Sequence, residues 1–194
     1  MLKIVTAPHS ILSQKAKSVA KIDKSIIALI AQMREALAAA RDPVGVGLAA
    51  TQIGKSLRIF IVKSTDKPQI QIFINPKITY ISQEKSQQVH QSSKTKKAKA
   101  KSGISENKML EGCLSLPTIW GEVQRQKELR LNYEDEKGKP HTRKFTGFIA
   151  TIIQHEMDHL EGILFPKRVL EQKGKLYRSH KDEKGEDVFG EIEI

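Results

Sequence analysis

Gln154-His155-Glu156-Met157-Asp158-His159-Leu160-Glu161-Gly162 is the stretch whose reading decides the fold. Read as a helix, its four-residue step sets His155 and His159 one turn apart on the same face, close enough for both imidazoles to hold one metal ion. Glu156 then lies beside the ligands, near any water the metal binds. This is the His-Glu-x-x-His pattern of metal-assisted hydrolysis, with two ligands and a general base on one helix. Two histidines do not complete a site, so the rest of the chain must supply a third ligand.

The helix is predicted to run from about Phe148 to Leu160 and to stop at Gly162, a natural C-cap. Its first part, Phe148-Ile149-Ala150-Thr151-Ile152-Ile153, is apolar nearly all round, which puts it at the centre of the fold. Residues 58–62 and 69–78 read as strands, the second interrupted by Asn75-Pro76 in a way that favours an edge or a bend. Residues 128–134 and 142–145 flank Asp135-Glu136-Lys137-Gly138-Lys139-Pro140, a hairpin with a slightly long turn. Between residues 22 and 41, Ile22, Ile26, Ile30, Met33 and Leu37 recur at helical spacing, with Asp23 or Ser25 as N-cap and Pro43 and Gly45 as the stop. The end, residues 188–194, alternates like a strand. There is no internal repeat.

Composition fits a globular protein: 194 residues, 39% of them apolar and 28% charged. No apolar run reaches the about 18 to 20 residues that a membrane span needs, and the first residues lack a secretory apolar core, so the expected location is the cytoplasm with no membrane partner. The single cysteine, Cys113, excludes an internal disulfide and leaves two roles, buried filler or thiolate. The net charge of +11 is unevenly spread: residues 82–103 hold six lysines against Glu84, a local excess of +5. With no aromatic and almost no aliphatic residue, that segment reads as a flexible basic insertion. A weak, salt-sensitive contact with RNA or an acidic surface is the alternative. Specific nucleic-acid recognition is not expected, because no aromatic residues are interleaved with the lysines.

The third ligand decides the class. In one group of zinc peptidases it is a histidine three residues beyond a glycine; Gly162 matches, but the next required position is Phe165. A downstream glutamate, Glu171 or Glu183, lies in no convincing apolar helix. His9, His90, His141 and His180 read as ordinary surface histidines. Cys113, flanked by Gly112 and apolar residues, is the better candidate: a buried thiolate needs a cation, and two imidazoles plus one thiolate leave a tetrahedral position open for water. Gly45-Val46-Gly47-Leu48-Ala49-Ala50-Thr51-Gln52 would let a backbone approach a ligand closely, although alone it reads more readily as a packed turn.

Three separated motifs, residues 45–52, Glu111-Gly112-Cys113-Leu114-Ser115 and Gln154 to His159, resemble the three signature motifs of the peptide deformylases, in the same order. The similarity spans about residues 1–168. It implies that Cys113, His155 and His159 bind a metal, and that Glu156 is the general acid and base. Gln52 and the Leu114 backbone N–H would face the oxyanion, and the Gly47 backbone the peptide. The implied substrate is the N-formylmethionyl end of a nascent peptide, with formate released. A bound metal would lower the pKa of water enough for Glu156 to take its proton near neutral pH. Val46, Leu114, Phe148 and Ile152 are candidates for an apolar slot by their adjacency to the motifs. Asp158 could orient a ligand or be a solvated carboxylate. Coordination alone would suit Zn2+, whereas the resemblance implies Fe2+, with Ni2+, Co2+ or Zn2+ as substitutes.

The expected fold is therefore α+β, a single domain of mostly antiparallel strands packed around a central buried helix. Residues 1–168 would form the catalytic domain, interrupted by the Lys-rich insertion, and 169–194 a C-terminal extension. Thr118 departs from the family, standing where many members have glycine. The strand-like end also departs from members that finish in a long helix associated with ribosome docking. Any ribosome contact is expected to be transient, and the protein to be a monomer.

Overall fold

The structure, a computed structural model, describes residues 3–40, 44–63, 69–86 and 110–193. The apolar run of β2 (Ile59–Lys63) shows how the layers form. Ile59 and Ile61 point to one side, into a cluster with Ile26, Ile30, Met33 and Leu37 of α1 (Lys24–Ala39). Phe60 and Val62 point to the other, against Ala150, Ile152, Ile153 and Leu160 of α2 (Gly147–Leu160). A strand buried on both faces has no polar alternation to show, which is why its sequence is continuous apolar.

This sheet is antiparallel with the order β1 (Gly47–Ala49), β2, β3 (Ile70–Ile81), β6 (Glu128–Glu134), β7 (Pro140–Thr146). A second sheet holds β4 (Leu110–Cys113), β5 (Leu116–Glu122), β8 (Leu176–Lys181) and β9 (Asp187–Ile192). Its core joins Cys113 and Val123 to Phe165 and Val169 of α3 (Phe165–Glu171). The expected α+β fold around a buried central helix is what forms. Asp23 caps α1 through Oδ1, which accepts from the N–H groups of Ser25 at 2.9 Å and Ile26 at 3.2 Å. Of the two residues expected to stop α1, Pro43 lies outside the described residues and Gly45 N–H donates to Ala40 O at 3.4 Å; the helix ends at Ala39.

Of the two expectations for Asn75-Pro76, an edge or a bend, the edge needs correction. β3 is the middle strand of its sheet, not an edge, and the break appears as a register shift between Ile74 and Lys77 opposite β6. Proline has no N–H for the ladder, but Asn75, at φ +50°, substitutes its side chain for the lost pairing. Its Nδ2 donates to Val19 O and to Glu134 Oε2, both at 2.9 Å, and its Oδ1 accepts from Val19 N at 2.8 Å. Strand β7 starts two residues earlier than expected, since Pro140 already pairs with Glu134.

Residues 82–86 run beside the segment that leads into β6, with Ser82 N–H donating to Glu128 O and Ser86 N–H to Arg125 O. The Lys-rich stretch from residue 87 onward, with His90, lies outside the described residues. The strand expected at 188–194 is β9, which pairs with β8, and β8 in turn pairs with β5.

Thr118, in β5, takes φ +64°, a left-handed conformation that its β-branched side chain disfavours. Thr118→Gly is expected to raise stability by about 1 kcal/mol, the relief of strain exceeding the added freedom of the unfolded chain. A melting temperature no higher than that of the parent protein would refute this.

Candidate active site

Helix α2 carries the site at its C-terminal half and is closed behind it by two hydrogen bonds. Gly162 N–H donates to His159 O and Ile163 N–H to Asp158 O, with Gly162 at φ +70°, the paired bonds of a Schellman stop. One turn apart, His155 and His159 present Nε2 atoms 3.2 Å from each other. Cys113, the last residue of β4, brings Sγ to 3.2 Å from His159 Nε2. Among the described residues these three form the group able to hold a metal ion, their ligand atoms all within 4.8 Å of one another.

The donor set fits a small divalent ion: ligand bonds of about 2.0 to 2.3 Å at tetrahedral angles put donors about 3.4 Å apart. The electrostatics agree. Burial opposes a charge on His155, but Glu111 and the Cys113 sulfur outweigh it and hold that imidazole's pKa well above the usual range. Burial and the neighbouring His155 push His159 well below its usual value. The Glu111 carboxylate beside the ligands thus favours positive charge at this position. Phe165, where a third histidine would stand in a peptidase, is 1% exposed and stacks its ring on His155 at 6.3 Å, so it packs the ligand and does not add one. Glu171 is an ion-pair partner of Arg168, and His141 pairs with Asp135.

Glu156 is 3% exposed, and its Oε2 is buried with no hydrogen-bond partner among the described residues. Burial raises its pKa to about 7 despite the neighbouring His155 cation. Gly47 explains part of how it fits: a Cβ built there would fall on the Glu156 carboxylate, so only glycine lets β1 pass so close. Gln52, 1% exposed, sits in a one-turn 3-10 helix (Ala50–Ile53). Its Oε1 accepts from Ala49 N–H at 2.9 Å, which turns Nε2 toward Cys113 Sγ at 3.5 Å and Ser115 Oγ at 3.2 Å. Leu114 lies in the turn between β4 and β5, immediately after Cys113. A cavity of 310 Å³ opens onto these groups, lined among others by Val46, Gly47, Leu114, Phe148 and Ile152. The residues assigned to the site from sequence thus lie around one cavity and its ligand cluster.

Four further residues build the site. Glu111 Oε1 accepts from His155 Nδ1 at 2.6 Å, which leaves Nε2 to face the metal position. Burial works against the Glu111 charge, but His155 and Arg125 bring its pKa down to about 2. Arg125 forks onto Glu111 at 2.6 and 2.9 Å and reaches Asp158 at 2.6 Å. Arg168 closes the chain on Asp158 Oδ1 at 2.7 Å. Asp158 is therefore a buried, doubly paired carboxylate and not a solvated one. Ser115, 0% exposed, steadies Gln52 and donates its N–H to Cys113 Sγ at 3.4 Å. Glu111 and Ser115 were visible within the cysteine motif, but Arg125 carried no signal, because its partners lie 14 and 33 residues away.

A family model described as polypeptide deformylase matches residues 1–175. A peptide deformylase of Pseudothermotoga lettingae is 38% identical over 163 residues, covering 84% of this chain and 80% of the relative. One from Borreliella burgdorferi is 34% identical and covers 95% of this chain and 98% of its own length. Among solved structures, a peptide deformylase from Synechococcus elongatus in complex with actinonin superposes with a TM-score of 0.71 at 32% identity, over 87% of this chain and 78% of that one. The Thermotoga maritima peptide deformylase also gives 0.71, at 30% identity, over 87% and 97%.

Proposed function

This chain belongs to the peptide deformylase family, and from that premise we propose that Cys113, His155 and His159 hold its metal ion and that Glu156 moves the proton. The enzyme is a hydrolase that removes the N-terminal formyl group from nascent peptides, and the family is metal-dependent. The observation that carries the site assignment is the cluster of two imidazole nitrogens and one cysteine sulfur, with His159 Nε2 3.2 Å from each of the other two ligand atoms and all three within 4.8 Å, beside a buried carboxylate whose Oε2 has no hydrogen-bond partner among the described residues.

When bound, the metal supplies a Lewis acid and an acidified water. The chain's residues do the rest. Glu156 accepts the proton of the attacking water and returns it to the departing amine nitrogen, a transfer suited to a carboxyl whose pKa lies near 7. The Gln52 amide, held by Ala49, and the N–H of Leu114 donate to the oxyanion as the formyl carbon becomes tetrahedral. The Gly47 backbone binds the peptide, and Val46, Leu114, Phe148 and Ile152 enclose the methionine side chain in the 310 Å³ cavity. Formate leaves.

Fe2+ is the metal we assign, with Zn2+, Ni2+ or Co2+ able to substitute. The catalytic domain is taken as residues 1–168, interrupted at about 82–103, with 169–194 as an extension. The enzyme is read as a cytoplasmic monomer with transient ribosome contact. No helix among the described residues is long and apolar enough to cross a membrane. Protein purified and assayed without oxygen is expected to release formate from an N-formylmethionyl peptide and to carry one iron per chain. A metal content near zero in active protein, or no formate from metal-loaded protein, would sink the assignment.

A further inference from the structure

The cavity wall contains Trp120, and what holds Trp120 lies at the far end of the chain. Its indole stands where a side chain on Gly112 would otherwise be, with ring atoms 2.8 and 2.9 Å from a Cβ built at that position, one residue before Cys113. Behind the ring is the β8–β9 hairpin. Ser179 Oγ accepts the indole N–H at 3.1 Å and donates to Thr118 O at 3.4 Å, so the single hydroxyl proton and a lone pair are both used. Phe189 meets the indole edge-on, centroids 5.8 Å apart at 82°. Tyr177, paired with Trp120 across the strands, anchors β8 by donating to Glu122 Oε1 at 2.6 Å. Ser179 and Phe189 both lie beyond residue 175, where the match to the family model ends.

From this geometry we infer that the C-terminal hairpin is a specificity element: Ser179 and Phe189 position Trp120 and so set the width of the apolar slot that receives the substrate's side chain. This inference rests on the cavity being that slot. Among the described residues the side-chain hydrogen bonds of Ser179 and the ring contact of Phe189 run to Trp120 and Thr118 and not to the metal ligands or Glu156, so the two residues act on substrate binding and leave the chemical step alone. An indole pinned by one hydrogen bond and one edge-on aromatic contact has two distinct restraints, and each can be removed alone.

Trp120 is the chain's sole tryptophan, so its fluorescence reports the wall directly. In full-length, metal-loaded protein, Ser179→Ala and Phe189→Ala are expected to move the emission to longer wavelength. They should raise KM for an N-formylmethionyl peptide about fivefold, with kcat changed less than twofold. Preference for formylmethionyl over formylalanyl peptide should fall by about the same factor. Ser179→Thr, which keeps the hydroxyl, should restore parental values. Unchanged emission, or shifted emission with unchanged KM and selectivity, overturns the inference. Absence of formate release by the parent enzyme would instead overturn the reading of the site, and the emission of the two variants would still judge the hairpin's hold on Trp120.

Discussion

Glu156→Gln is expected to lower kcat for deformylation by about a hundred- to ten-thousandfold while leaving metal content and fold intact. The substitution is isosteric, so the close passage of β1 at Gly47 is preserved. What disappears is the ability to take and return a proton. Burial has already raised the pKa of this carboxyl to about 7, so the charge it carries is one the fold holds against a desolvation cost. Removing the ionisable group should therefore not destabilise the protein, and the melting temperature is expected to stay level or to rise. Formate release and metal analysis on the same preparation decide the matter. Full turnover by the variant would mean that Glu156 is a packing residue and that the proton moves elsewhere.

How far the sequence could be read depended on how far apart the partners lie. The histidine helix was legible because its ligands, base and C-cap all fall within nine residues, and helical periodicity alone orders them. The β6–β7 hairpin was legible for the same reason, since its strands and turn are contiguous. Cys113 could be proposed only because the ligand count was short by one and a buried thiol needs a cation. Of the two readings of Asn75-Pro76, an edge or a bend, the edge failed because the rule for proline in strands knows nothing of a side chain that repairs the gap. Asn75 does so through Val19, 56 residues away. Arg125 was invisible: an arginine in a connecting segment gives no sign that carboxylates from two distant elements will close on it. The hold of the C-terminal hairpin on Trp120 is equally non-local, with Ser179 lying 59 residues from the ring it restrains.

Arg125→Ala is the sharpest test of that invisible part, because Arg125 bridges Glu111 of the cysteine strand and Asp158 of the histidine helix. Its side chain is 6% exposed and bonds two carboxylates, Glu111 and Asp158, whose own side chains are each 10% exposed. Removing one member of a buried ion pair costs about 3 to 5 kcal/mol, because the remaining charge keeps its desolvation penalty and loses its compensation. Here each carboxylate retains a second partner, His155 for Glu111 and Arg168 for Asp158, so the low end, about 3 kcal/mol, is expected. The effect on the metal is separate. Without the Arg125 fork, Glu111 is free to rotate, and the bond that fixes the His155 tautomer loses its aim, so metal affinity is expected to fall about 10- to 100-fold. Arg125→Lys keeps the charge but lacks the planar fork, and should fall between the two proteins in both measurements. Chemical denaturation of the apo protein reads the first effect and competition with a chelator the second. A variant that loses stability but holds metal as tightly as the parent would show that Glu111 orients His155 without help. Unchanged stability would show that the Glu111–Arg125–Asp158 chain contributes nothing beyond what its desolvation costs.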